Sequence, residues 1–309
     1  MITVQNLSKS YGALRAVDDI SFEVNKGELF GLLGPNGAGK TTTISMICGL
    51  LSPDSGRVHL DGMDIQESPL EARRRLGVVP QDVALYEELS ARENLRFWGG
   101  LYGLSGRDLR RATEEILERV GLTDRAKEPV KRFSGGMKRR LNMAAGLIHK
   151  PSIVLLDEPT VGIDPQARIN ILDVVREIAK AGATILYTTH YLEEAEDLCD
   201  RIAIMDHGKI LALGTVQELA KLAGDADILS IRGQFSTDQI QPILTERPDL
   251  EVLNVTDGLA VVGLKHGHGG VSPFLESIYG AQISIDDISI KQPSLQSVFL
   301  KLTGRELRD

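Results

Sequence analysis

Eight residues constrain this chain more than any other feature it carries. Gly34-Pro35-Asn36-Gly37-Ala38-Gly39-Lys40-Thr41 follows the apolar run from Leu29 to Leu33 and opens a helical pattern. That is the strand-to-helix setting a G-x-x-x-x-G-K-[ST] loop requires. Its glycines let the backbone curl until successive N–H groups point inward, and the positive end of the following helix adds to the anion site. Lys40 supplies a point charge for the β- and γ-phosphates of a nucleotide, and Thr41 offers a hydroxyl to Mg²⁺. Asn36, Gly37, Ala38, Gly39, Lys40, Thr41 and Thr42 are therefore the candidate nucleotide-binding residues. A glycine-rich turn that bound nothing would have no reason to place Lys and Thr at its helical end.

A second apolar run, Ile153-Val154-Leu155-Leu156, ends in Asp157 and Glu158. Such a run predicts a central parallel strand whose C-terminal edge opens on a ligand crevice. Beside a phosphate loop, Asp157 reads as a Mg²⁺ holder. Glu158 reads as the group that orients and deprotonates an attacking water.

The remaining organisation follows from pattern. Residues 1–222 alternate short β-branched runs with helical periods, which predicts an α/β domain on a mostly parallel sheet. Strand candidates are residues 20–24, 29–33, 77–79, 153–157, 184–188 and 202–205. Asp206-His207-Gly208-Lys209 is placed as a hairpin turn. Between about 82 and 150 helical periods take over at 91–102, 107–120 and 135–149, so an all-helical subdomain is expected there. From 223 to 309 strands are expected at 228–231, 250–255, 259–264 and 283–290, with Asp257-Gly258 as a hairpin turn and two intervening helices. The order predicts a small α+β ferredoxin-like domain, closed by an amphipathic helix from 294 to 302. Ser236 and Gln239 fit a capping box, but Pro242 would interrupt a helix begun there, which moves the expected start to Gln241.

At 309 residues, with 42% hydrophobic and 25% charged, the chain has the size of about two globular domains. No apolar run approaches the ~20 residues that cross a bilayer. The first residues lack a leader pattern, so secretion is not expected. Cys48 and Cys199 lie far apart without metal-ligand spacing and read as reduced thiols. A net charge of -8 argues against nucleic acid as a partner. The basic runs at 73–75 and at Lys138-Arg139-Arg140 are read as solvated helix faces. His266 and His268, in a glycine-rich stretch, are read as part of a mobile connection rather than a metal site.

Phe133-Ser134-Gly135-Gly136-Met137 matches the signature L-S-G-G-Q at its Ser-Gly-Gly core, and with it residues 1–222 resemble an ABC ATPase. The other marks of that family stand in order. Tyr11 lies where an aromatic ring stacks on adenine, Gln81 is the Q-loop glutamine, Ile163-Asp164-Pro165 resembles the D-loop, and His190 is the switch histidine. The resemblance implies ATP and Mg²⁺ as ligands. It gives catalytic roles to Glu158, His190 and Gln81, Mg²⁺ contacts to Thr41, Gln81 and Asp157, and a γ-phosphate contact across a dimer to Ser134, Gly135 and Gly136. Ser134 is physically sensible as a helix N-cap, with the two glycines exposing bare backbone to an anion. Met137 in place of Gln removes a ribose contact.

One phosphate loop and one signature per chain imply a head-to-tail homodimer with each nucleotide sandwiched between two copies. Glu93-Asn94-Leu95-Arg96-Phe97 and the ending Ser294-Leu295-Gln296-Ser297-Val298-Phe299-Leu300-Lys301-Leu302-Thr303-Gly304 resemble ATPase subunits of ABC-2-type exporters of the drug-resistance branch. The implied function is ATP hydrolysis that powers a separate transmembrane permease from the cytoplasmic face of the membrane, docked through residues 83–98 with Tyr86 and Trp98 as anchors. The alternative is a soluble ABC ATPase that remodels ribosomes or DNA. Such proteins usually carry two cassettes or a long coiled-coil insert, and neither is present. The resemblance leaves three roles open to the C-terminal domain: dimer stabilisation, regulation, or contact with the permease.

Overall fold

The computed structural model describes residues 1–222, 226–247, 250–265, 272–281, 283–291 and 294–303. The chain divides into two compact units, Met1–Ala212 and Leu213–Asp309.

The first unit opens with β1 (Ile2–Tyr11) and β2 (Leu14–Val24), followed by β3 (Leu29–Leu33) and α1 (Lys40–Ile47). Next come β4 (Ser55–Leu60), β5 (Met63–Asp64), α2 (Pro69–Arg74) and β6 (Leu76–Val79). Three helices follow, α3 (Ala91–Leu101), α4 (Gly106–Arg119) and α5 (Gly135–Leu147). Then come β7 (Ile153–Asp157), α6 (Pro165–Lys180), β8 (Thr184–Thr189), α7 (Leu192–Leu198), β9 (Arg201–Asp206) and β10 (Lys209–Gly214), within which the division falls.

Two sheets form. One has the order β2-β1-β4-β5 and is antiparallel; the other has the order β10-β9-β3-β8-β7-β6. In the second sheet β6, β7, β8, β3 and β9 are mutually parallel. β3, β7 and β8 are buried along their whole length, as a strand covered on both faces must be. A single core joins the inner faces of both sheets to α1 through Val4, Phe22, Leu32, Met46, Ile47 and Leu155. The phosphate loop is thereby fixed at both ends by fully packed elements.

β1 and β4 were not visible as strands in the sequence. Asn6 adopts φ 48°, and the register of β1 against both neighbours shifts around it. A bulge of this kind breaks the in-out alternation by which a strand is read. The turn at His207-Gly208 is as expected, with φ of 46° and 78°, the positive pair that a two-residue hairpin favours.

The second unit contains α8 (Val216–Leu222), β11 (Ala226–Gln234), α9 (Thr237–Thr245), β12 (Leu250–Thr256), β13 (Leu259–Lys265), α10 (Ser272–Gly280), β14 (Ser284–Lys291) and α11 (Leu295–Thr303). Its sheet order, β12-β13-β11-β14, is antiparallel throughout, which with the β-α-β-β-α-β sequence is the ferredoxin-like arrangement. The sequence reading placed the domain boundary at 222/223. The division falls before α8, because α8 packs on α11. The helix expected from Gln241 begins instead at Thr237, with Pro242 inside it. Ile240 and Leu244 are buried in the core of this unit, and two such burials, at about 1.5–3 kcal/mol each, are of the size needed to offset the ~3 kcal/mol of an internal proline. His266, His268 and Gly304 lie outside the described residues.

Candidate functional site

The loop between β3 and α1 takes its shape from two left-handed glycines, Gly37 at φ 83° and Gly39 at φ 107°. At Gly39 a Cβ would also stand 2.4 Å from the carbonyl oxygen of Ala16, so no other residue fits. Lys40 is only 4% exposed, and its Nζ donates to the carbonyls of Gly34 at 2.6 Å and Pro35 at 3.0 Å. Its third proton faces Glu158 Oε1 at 2.9 Å, which uses all three donors of the ammonium.

Glu158 stands one residue beyond β7 with φ 45°, a strained conformation for a residue with a Cβ. Its Oε2 lies 3.2 Å from Nδ1 of His190, so one carboxylate joins the phosphate-loop lysine to the histidine. All three side chains are buried. Thr188 organises the approach: its hydroxyl donates to Asp157 Oδ1 at 2.7 Å and accepts from the Glu158 N–H at 2.9 Å. Burial raises the Asp157 carboxyl above its ordinary 3.8, against the opposing hydrogen bonds of Thr188 and Thr41. A carboxylate flanked by hydroxyls is a hard oxygen donor set of the kind Mg²⁺ takes alongside substrate phosphates. Among the described residues no cluster of three or more His, Cys, Asp or Glu forms a cage for a metal.

These groups face one cleft of about 560 Å³. Tyr11, Asn36, Gly37, Gly39, Lys40, Thr41, Thr42, Gln81, Glu158 and His190 all line it. Tyr11 stands at its open end, 51% exposed. Ala38 is buried behind the loop, and Asp157 sits beneath it. Ser134, Gly135 and Gly136 are not among the lining residues. They start α5, where Ser134 Oγ accepts from the N–H of Met137 at 3.3 Å. Ser134 and Gly135 are exposed. A Cβ on Gly136 would meet Ala167 Cβ at 2.5 Å, whereas Gly135 has open space around it.

One residue of the basic runs behaves otherwise than the sequence suggested. Arg139, read as part of a solvated face, is 5% exposed. Its Nη1 donates to the carbonyls of Pro80 and Gln81, and its Nη2 to those of Glu158 at 3.5 Å and Val161 at 3.3 Å. Burial pulls its guanidinium down from the ordinary arginine value, opposed by Asp82, Asp157 and Glu158. Arg73, from the other basic run, donates to the carbonyls of Cys48 and Gly49 at the end of α1, where a cation suits the helix dipole. Trp98 is only partly exposed. It lines an apolar groove of about 420 Å³ with Leu76, Val78, Pro80, Ala84 and Tyr102, while Tyr86 stands in solvent, edge-on to Phe97 at 4.9 Å between ring centroids.

Sequence reasoning also missed Asn94 and Glu194. Asn94 is fully buried; it accepts from the Tyr86 N–H at 2.8 Å and donates to the carbonyls of Tyr86 and Ser90, both at 3.0 Å. Glu194 is a buried carboxylate that accepts from Tyr187 and Thr189, each at 2.8 Å, and pairs with Arg168 at 2.7 Å. A polar residue inside a charged or aromatic phrase gives no sign of its burial in one sequence.

A glycine-shaped anion loop beside a buried aspartate, glutamate and histidine on the C-terminal edge of a parallel sheet defines a P-loop nucleotide-binding cassette. The ABC transporter family model matches residues 17–161. The linearmycin resistance ATP-binding protein of Bacillus subtilis is 42% identical over the full length of both chains. The doxorubicin resistance ATP-binding protein of Mycobacterium tuberculosis is 38% identical, over 98% of this chain and 93% of its own. The Nod factor export ATP-binding protein I of Cupriavidus metallidurans is 39% identical over 100% and 99%. Among solved structures, an ATP-binding subunit of an ABC transporter superposes with a TM-score of 0.67 at 35% identity, covering 72% of this chain and 93% of that one. A dimeric ATP-binding cassette bound to ADP and Pi in a post-hydrolysis state gives 0.65 at 25%, covering 70% and 98%. The chain belongs to the ABC transporter family.

Proposed function

We propose that this chain hydrolyses ATP to power a membrane exporter, working as a head-to-tail pair of identical subunits on the cytoplasmic face of the membrane beneath a separate permease. One observation carries the reading. The cleft gathers Lys40, Glu158 and His190, while Ser134 and Gly135 are exposed at a helix start outside it. A second copy would bring that helix start, with its bare N–H groups, to the nucleotide held by the first.

In this reading Tyr11 stacks on the base and the backbone N–H groups of residues 36–42 hold the phosphates. Thr41, Asp157 and Gln81 hold Mg²⁺, which when bound neutralises phosphate charge. Lys40 and Glu158 neutralise each other at 2.9 Å. A γ-phosphate competes for the Lys40 ammonium and releases the Glu158 carboxylate to accept a proton from water. His190, 3.2 Å away, fixes the orientation of that carboxylate and donates toward developing phosphate charge.

The apolar groove beside Gln81 suits the permease, since an amphipathic segment laid there would press on residues 80–84. No helix among the described residues is long and apolar enough to cross a membrane, so transport needs such a partner. The relatives named for resistance and export support this reading over ribosome or DNA remodelling.

Substituting Glu158→Gln tests it. The variant should bind ATP, accumulate as a nucleotide-trapped dimer in size-exclusion chromatography, and lose turnover by ~10²- to 10⁴-fold, the worth of a positioned base. Wild-type turnover would remove Glu158 from the role.

A further inference from the structure

Arg139 belongs to α5 but directs both terminal nitrogens of its guanidinium to two other segments. Nη1 takes the carbonyls of Pro80 and Gln81, and Nη2 takes those of Glu158 and Val161. Each terminal nitrogen serves one segment. The 158–161 segment is itself a turn, closed by the Val161 N–H on the Glu158 carbonyl at 3.3 Å. On its other side the Glu158 N–H is tied to Thr188 Oγ1 at 2.9 Å. The strained peptide of Glu158 is thus held from both flanks, by a threonine of β8 and by an arginine of α5. The Gln81 side chain stays exposed on the cleft while its main chain is anchored to the same guanidinium.

We propose that Arg139 is a positioning residue that locks the backbone of Glu158 to the 80–81 segment, so that a displacement of that segment is delivered to the carboxylate. The inference rests on the reading of Glu158 as the base. It follows from the shape of the donor: a planar fork sets two terminal nitrogens apart, one on each segment, whereas the single nitrogen of a lysine at 139 would have to serve all four carbonyls from one point with three protons.

The test uses the full-length chain with Arg139→Lys and Arg139→Gln. Thermal midpoint, ATP affinity, KM and kcat are measured for each, alone and combined with Glu158→Gln. The expected result is a KM and ATP affinity near wild type, with kcat per folded molecule reduced ~10- to 10²-fold, the scale of a small misplacement of a catalytic group. In the Glu158→Gln background the same substitutions should add no further loss, because Arg139 acts only through that residue.

Wild-type kcat in both variants overturns the proposal. So does a loss of kcat matched by loss of ATP binding, or full additivity with Glu158→Gln, since a merely structural arginine would give those. Unfolding of both variants assigns Arg139 to the core and equally overturns it. The parent reading fails separately, through retained turnover in Glu158→Gln alone.

Discussion

Adjacent acids at the end of β7 are given opposite surroundings. Asp157 is buried with the hydroxyls of Thr188 and Thr41 on its oxygens, and burial raises its carboxyl above 3.8. Glu158 is turned the other way by its positive φ and meets a lysine and a histidine. The raised value has a definite consequence for stability. The folded state keeps the Asp157 proton at a pH where the unfolded chain has lost it, so folding takes up a proton in that window. The contribution is present below 3.8, falls as pH rises through the folded value, and is flat beyond it. Asp157→Asn lacks this loss. Its urea midpoint should therefore gain on wild type as pH rises above the ordinary carboxylate value, then run parallel to it, over a series from about pH 4 to pH 8. A constant gap across the series would contradict the assignment.

At the scale of elements, α5 does two jobs with consecutive glycines. Gly136 lets the helix approach α6 so closely that a methyl would overlap Ala167 at 2.5 Å; Gly135 faces open space. The two substitutions should separate. Gly136→Ala should lower stability by about 1–3 kcal/mol through overpacking, seen as a shifted denaturation midpoint. Gly135→Ala should fold as wild type but weaken ATP-driven dimer formation, measured by analytical ultracentrifugation, if its bare backbone serves a partner's phosphate. Equal midpoints and equal dimerisation for both would leave the glycine pair unexplained. The loop before α3 is built with similar economy: Asn94 clamps Tyr86 and Ser90, and Glu93 closes the capping box on Ser90. These contacts give a physical meaning to the phrase Glu93-Asn94 that the sequence offered only as a resemblance.

For the whole molecule, the proposal makes each site a composite of two chains. Lys40→Ala and Ser134→Arg should each abolish turnover as homodimers, because both sites of each pair are damaged. A mixture should regain activity, since a mixed pair holds one site with Lys40 and Ser134 both intact. ATPase assays across a titration of one variant into the other check this, and a mixture as inactive as its components would exclude the head-to-tail pair. The second unit has its own core around Leu229, Ile231, Phe274 and Ile278.

Sequence alone determined the parts whose chemistry is local. The phosphate loop needs its glycines and lysine at fixed spacing, a buried parallel strand needs an unbroken apolar run, and a two-residue hairpin needs residues that accept positive φ; each is written in a few consecutive letters. The α/β class and the βαββαβ order of the second unit followed from such runs. Tertiary structure decided what depends on partners distant in the chain. It made strands of 2–11 and 55–60 despite a bulge, and kept a proline inside α9 because two apolar side chains are buried there. It also drew Arg139 out of a basic run into the protein. Four carbonyls from residues 80, 81, 158 and 161 converge on that guanidinium only once α5, β6 and β7 are packed, and main-chain oxygens leave no mark in a sequence.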